Sequence, residues 1–126
     1  MKVYLAVVIG GFFGSILRYG IGLLLPNIDY SGFPWATFAV NISGAFLLTY
    51  ILFHPMIQSK LDQVVITGIT TGLIGAYTTF SAITVEIIML AKENVILAII
   101  YIFSTLLFGL FSSFLGYKYA TRRVMD

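Results

Sequence analysis

Three side chains stand in this sequence where hydrocarbon would not tolerate them. Arg18, Asn41 and Glu86 each lie inside a long apolar run, and polar groups at that depth mark a site or a pathway by default. Arg18 falls about seven residues, roughly 10 Å, inside the end of its run. A cation there costs at least about 2.5–3.5 kcal/mol unless it lines water or snorkels to the headgroups. Gly10, Gly14, Arg18 and Gly22 recur every four residues, a stripe of small residues with a cation in it. Such a face suits close helix packing beside a wet cavity, although snorkelling toward the outer headgroups also accounts for the arginine. Asn41 shares a helical face with Thr37 and Gly44, and Glu86 follows Thr84 by two residues. Interhelical hydrogen-bond glue, worth about 0.6 kcal/mol per contact, would explain Asn41 well and Glu86 poorly.

The same inventory excludes most other chemistry. With no cysteine and a single histidine, His54, there is no thiolate site, no disulfide framework and no histidine metal cluster. No nucleophile has a histidine base, no pair of carboxylates shares a short region, and no glycine loop cradles phosphate ahead of a basic residue. This is no enzyme. Basic residues are scattered, so no nucleic-acid footprint exists. What remains is a cation, an amide and hydroxyls along a polar route, a channel or carrier inventory that leans toward anions.

The elements that carry these residues follow from composition. Of 126 residues 60% are hydrophobic and 10% charged, against roughly 45–50% and about 25% in soluble domains. The length allows one transmembrane domain, residues 1–126, with apolar spans at about 3–25, 35–53, 64–90 and 95–117. Pro26 and a turn-rich segment end the first span, and His54-Pro55 ends the second. The first span is long, carries Arg18 and lacks a cleavage site, so it is read as retained. With the N-terminus inside, Lys2, Lys60, Lys118, Arg122 and Arg123 flank the cytoplasmic side against Lys92 outside, five to one. That bias puts both termini in the cytoplasm.

The third span, about 27 residues and hence about 40 Å as a helix, exceeds the hydrocarbon thickness. Its centre, 67–81, holds three glycines and five threonines. Either the helix breaks there and releases backbone groups that hold ions, or the glycines serve close packing and the threonines bond back to the preceding turn. Four short helices cannot wall a sizeable polar route alone, and no internal repeat supplies more walls, so an oligomer is expected.

Three motifs resemble the bacterial fluoride channel family known as Fluc or CrcB. They are the run from Gly10 to Tyr19, Val40-Asn41-Ile42-Ser43-Gly44, and the run from Gly72 to Ser81, in order and on spans of matching size. The resemblance covers nearly the whole chain. It implies an all-α membrane protein of four helices with a broken third helix, forming an antiparallel dimer with fluoride pores at the interface. It further implies a structural Na+ at the dimer centre, held by backbone carbonyls that map to Gly75 and Thr78. Asn41 matches the pore amide, Arg18 the arginine at the aqueous mouth, and Phe80 one of two rings that offer positive edges to the anion. Ser81, Thr84 and Thr105 supply hydroxyls along the pore. The implied activity is passive export of fluoride, which enters cells as the neutral acid and is trapped as the anion. A small, tightly hydrated ion needs donors in place of its water.

The departures from the family pattern are as informative. Ala82 and Ile83 stand where a threonine and the second phenylalanine belong, and Gly109 where a serine is expected. A homodimer would lack one ring in both pores. Together with the charge bias, which opposes insertion in both orientations, this favours a heterodimer with a related, oppositely inserted subunit over a homodimer. The competing classes are a proton-coupled small multidrug exporter, which would want a glutamate in the first span, and a membrane scaffold, which would not explain Arg18, Asn41 and Glu86 together.

Overall fold

A segment in lipid must close its backbone hydrogen bonds within itself, and the apolar runs of this chain do so as helices. A computed structural model describes residues 1–25 and 32–122. It contains α1 (Lys2–Leu24), α2 (Trp35–Phe53), the short α3 (Pro55–Lys60), α4 (Gln63–Thr67), a π-helical segment (Gly68–Ile74), α5 (Gly75–Tyr77), α6 (Ser81–Glu93) and α7 (Val95–Arg122). From α4 to α6 the chain forms one interrupted span, Gln63–Glu93. With α1, α2 and α7 it makes four helices long and apolar enough to cross a membrane. The protein is an all-α, multi-pass membrane protein with a broken third span, and no strand occurs among the described residues.

Local signals account for the ends. His54 is extended and Pro55 opens α3, a position that wants no backbone N–H. Asp62 caps α4 by accepting from the Val64 N–H at 3.2 Å. Residues 26–31, with the expected turn-rich segment after Pro26, lie outside the described residues, as do residues 123–126. The fourth helix runs past residue 117: its 28 residues span about 42 Å, roughly 12 Å more than the hydrocarbon. Lys118 and Arg122 therefore continue the helix beyond the hydrocarbon instead of forming a separate tail, and the Arg122 guanidinium lies 5.8 Å from the Tyr119 ring centroid.

The helices associate in two pairs, α1 with the interrupted span and α2 with α7. A Cβ on Gly10 or Gly14 would run into the backbone of Gly68 or Leu73, so only glycine lets α1 lie against the π-helical segment. By contrast, a Cβ on Gly22 would meet nothing within 4 Å. The small-residue stripe thus divides: its first half packs, and its second half faces open space. Buried side chains such as Val40, Ile66, Leu90 and Tyr101 sit between elements. Many large apolar residues, including Phe12, Phe103 and Leu107, are exposed and need lipid or another subunit to cover them.

Candidate functional site

The site is organised by the interruption of the third span. Thr78 leaves the helix in an extended conformation. In a continuous helix the Thr79 N–H would bond to the Gly75 carbonyl. Here it donates to Asn41 Oδ1 at 2.8 Å, and Asn41 Nδ2 donates to the Thr79 carbonyl at 2.9 Å. A carboxamide offers a donor and an acceptor spaced as a peptide does, so Asn41 stands in for the missing helical partners. Three residues on, Gly44 leaves room for the Thr78 methyl, which occupies the place of a Cβ. No described donor reaches the carbonyls of Gly75 or Thr78.

On one side of the break lies a cavity of about 500 Å³ whose walls include Arg18, Gly22, Thr37, Thr79, Ser81 and Glu86. Glu86 is fixed by two hydroxyls: Thr37 Oγ1 donates to Oε1 and Tyr101 OH to Oε2, each at 2.6 Å. The carboxylate thereby ties α2, α6 and α7 together. Tyr101 is fully buried and meets the Phe33 ring edge-on, centroids 5.3 Å apart. Arg18 shares the cavity with the carboxylate, whose described hydrogen bonds come from the two hydroxyls. That leaves a cationic group beside water-accessible space at membrane depth, an arrangement that attracts anions.

Across the break a second cavity of about 440 Å³ is bounded by Phe80, Ile83, Ile87, Ile102, Thr105 and Leu106, with Gly109 and Ser113 farther along α7. Phe80 projects from the break, 82% exposed. Thr105, Gly109 and Ser113 share one face of α7, and the buried Thr105 Oγ1 has no hydrogen-bond partner. This space offers an aromatic ring and few donors.

The residues singled out by sequence thus separate. Arg18 and Ser81 meet at the first cavity, Phe80 and Thr105 at the second, and Asn41 clamps the break between them. Ser81 Oγ lies 3.2 Å from Thr79 Oγ1. Thr84 bonds back to the Phe80 carbonyl at 3.2 Å and lines neither cavity. Sequence reasoning noted Thr37 and Glu86 singly but not their joining with each other and with Tyr101. A phenol and a carboxylate buried in adjacent apolar spans, each needing a partner, were the available signal.

Comparison with known proteins gives a consistent result. Residues 5–117 match the family model described as CrcB-like protein, Camphor Resistance (CrcB). A protein of Geobacillus kaustophilus named fluoride-specific ion channel FluC 2 is 39% identical over 119 residues, 94% of this chain and 92% of that one. Fluoride-specific ion channel FluC of Thermus thermophilus is 38% identical over 119 residues, covering 94% of each. Fluoride-specific ion channel FluC 1 of Bacillus anthracis is 39% identical over 116 residues, 91% of this chain and 85% of that one.

Proposed function

Because the chain belongs to the CrcB family, we propose that it is a fluoride-selective ion channel subunit, a single transmembrane domain that lets cytoplasmic fluoride leave passively across a bacterial cell membrane. The carrying observation is the break at Thr78–Thr79–Phe80, held by Asn41 between a cavity with a cation and one with an exposed ring. Fluoride is held by its water, so each stripped hydrogen bond must be replaced by a protein donor. Arg18 gathers the anion at the mouth, Ser81 offers a hydroxyl, and the second amide hydrogen of Asn41, unused by Thr79, is free to meet it, whereas the Thr84 hydroxyl is spent on the Phe80 carbonyl. Phe80 presents a positive ring edge, and Thr105 lies farther on with its hydroxyl buried, to be offered only if its side chain turns toward the cavity. Family membership favours this reading over a multidrug exporter, and α1 carries no carboxylate to exchange protons.

The active unit in this reading is an antiparallel dimer with pores at the interface and both termini in the cytoplasm. Na+ at the dimer centre would be held by the Gly75 and Thr78 carbonyls. Their lack of described donors suits a hard cation, which takes oxygen ligands. A heterodimer with a related subunit of opposite orientation is favoured over a homodimer. Ile83 lines the second cavity where a ring is wanted, and the flanking charges oppose dual insertion. Relatives bearing the numbers 1 and 2 are compatible with such pairs. One pore then conducts and the other is degenerate.

Fluoride efflux from proteoliposomes, followed with a fluoride electrode and with chloride as control, tests both points. Little flux is expected from this chain alone and rapid, fluoride-selective flux with an oppositely inserted relative. Full flux from the chain alone would overturn the heterodimer, and retention of fluoride with every partner would overturn the channel.

A further inference from the structure

The clamp between Asn41 and Thr79 closes only at one spacing between α2 and the break. Asn41 has a short side chain, and its two bonds to Thr79 measure 2.8 and 2.9 Å. Gly44 lies three residues on, buried on the same face of α2. A Cβ there would overlap the Thr78 methyl, with the Tyr77 ring edge at 3.5 Å and Thr78 Cβ at 3.7 Å from the same point. The glycine is a seat, and the methyl of Thr78 fills it.

Both walls of the seat are held. The Thr78 hydroxyl donates to the Ile74 carbonyl at 2.9 Å, and the Thr78 N–H reaches the same oxygen at 2.9 Å. A β-branched side chain turns about one stiff torsion, so the bond that places the hydroxyl also places the methyl against Gly44. Turning the methyl aside breaks that bond. The Tyr77 hydroxyl lies 2.9 Å from Ser43 Oγ, which keeps the ring beside the seat. With both walls held, a methyl added at residue 44 is relieved by α2 moving back from the break. A retreat of about 1 Å, the step from overlap to van der Waals contact, takes the Asn41 bonds out of hydrogen-bond range.

We propose that Gly44 and the Thr78 methyl are a matched spacer that positions the Asn41 amide in the fluoride route, with Gly44 a positioning residue that acts through Asn41. This rests on the reading of the chain as a fluoride channel with Asn41 as a donor to the ion. The match is one of size, so the two positions should trade. Gly44→Ala fills the seat from one side, and Thr78→Ser empties it from the other while keeping the hydroxyl for Ile74. Thr78→Val does the reverse, keeping methyl bulk and losing the hydroxyl.

The test uses the channel assembled with its partner where one is required, and it reads fluoride release from vesicles together with hydrogen exchange at the Thr79 amide. Thr79 lines the first cavity, so its N–H meets water once Asn41 withdraws. Gly44→Ala is expected to slow release and to speed Thr79 exchange, each about tenfold, the scale of losing the clamp. Adding Thr78→Ser is expected to bring both readouts to within about twofold of Thr78→Ser alone, and adding Thr78→Val to restore neither. A wild type that retains fluoride with every partner overturns the channel reading and this inference with it. With a conducting wild type, the inference alone is overturned by normal release from Gly44→Ala, by slow release with Thr79 still protected, by no rescue with Thr78→Ser, or by equal rescue with Thr78→Val. Should Gly44→Ala fail to fold, the double variant with Thr78→Ser is expected to fold and to match Thr78→Ser, and its failure to do either overturns the proposal.

Discussion

The two cavities flank one break and offer an ion opposite surroundings. The first presents Arg18, Ser81 and the Glu86 cluster, while the second presents Phe80 among Ile83, Ile87, Ile102 and Leu106, with the Thr105 hydroxyl buried behind its wall. A hydrated anion is at home in the first. In the second it must part with water, and this chain alone supplies too little in exchange. In the channel reading proposed above, the polar half of the route is built within one subunit, whereas the dehydrating half needs groups from outside it. The difference also separates two kinds of rigidity. Glu86 is immobilised by hydroxyls from α2 and α7, and Phe80 is positioned only by the backbone on either side of the break.

The comparison can be broken most severely at the break itself. Asn41→Ala leaves the N–H and carbonyl of Thr79 without their partners, at about 1–3 kcal/mol each. Both cavities are expected to lose shape together, with a lower unfolding temperature in detergent and about tenfold or greater loss of fluoride efflux. Gly14→Ala drives a Cβ into the Leu73 backbone and should cost about 3 kcal/mol of stability. Gly22→Ala, on the same stripe but with nothing within 4 Å, should leave the melting curve unchanged. Equal melting curves for the two would refute the division of α1 into packing and open halves.

Tyr101→Phe touches the polar side alone. It removes one of the two donors to Glu86, and a hydrogen bond to a charged group is worth about 1.5–3 kcal/mol. A melting curve shifted down by that amount, with the break intact by hydrogen exchange at Thr79, would sharpen the contrast. Ile83→Phe acts on the apolar side and adds the missing ring edge to the second cavity. Fluoride release by the chain reconstituted alone should rise about threefold to tenfold, the scale of an aromatic contact worth ~0.5–1.5 kcal/mol. No change in release would mean that the cavity bordered by Ile83 is not an ion route.

Much of the fold was legible because hydrocarbon is unforgiving. Apolar length and His54-Pro55 announce spans and ends through local chemistry, whereas the glycine and threonine content of 67–81 leaves a break and close packing both open, and only the family resemblance implies the break. The form of the break was not legible. The third span has two irregularities, a π-helical stretch at Gly68–Ile74 and the interruption after Tyr77. The first depends on how closely α1 approaches, a tertiary fact. Asn41 shows the same limit. Its depth marks it as functional, yet nothing near it in sequence reveals that its amide is paired with the Thr79 backbone, 38 residues away. The Thr37 to Glu86 bond spans 49 residues and was equally hidden. Residue types reveal which groups need partners, and only the helix arrangement reveals which partner each one finds.

The account is tested most directly by Phe80, the ring that the break thrusts into the second cavity. Fluoride release from vesicles holding the channel assembled with its oppositely inserted partner is compared for wild type and Phe80→Ile in this chain. Rapid release by wild type, chloride held back, and a slow leak of fluoride from the variant are predicted. Equal rates for the two, or fluoride retained by wild type whatever subunit accompanies it, would contradict the account.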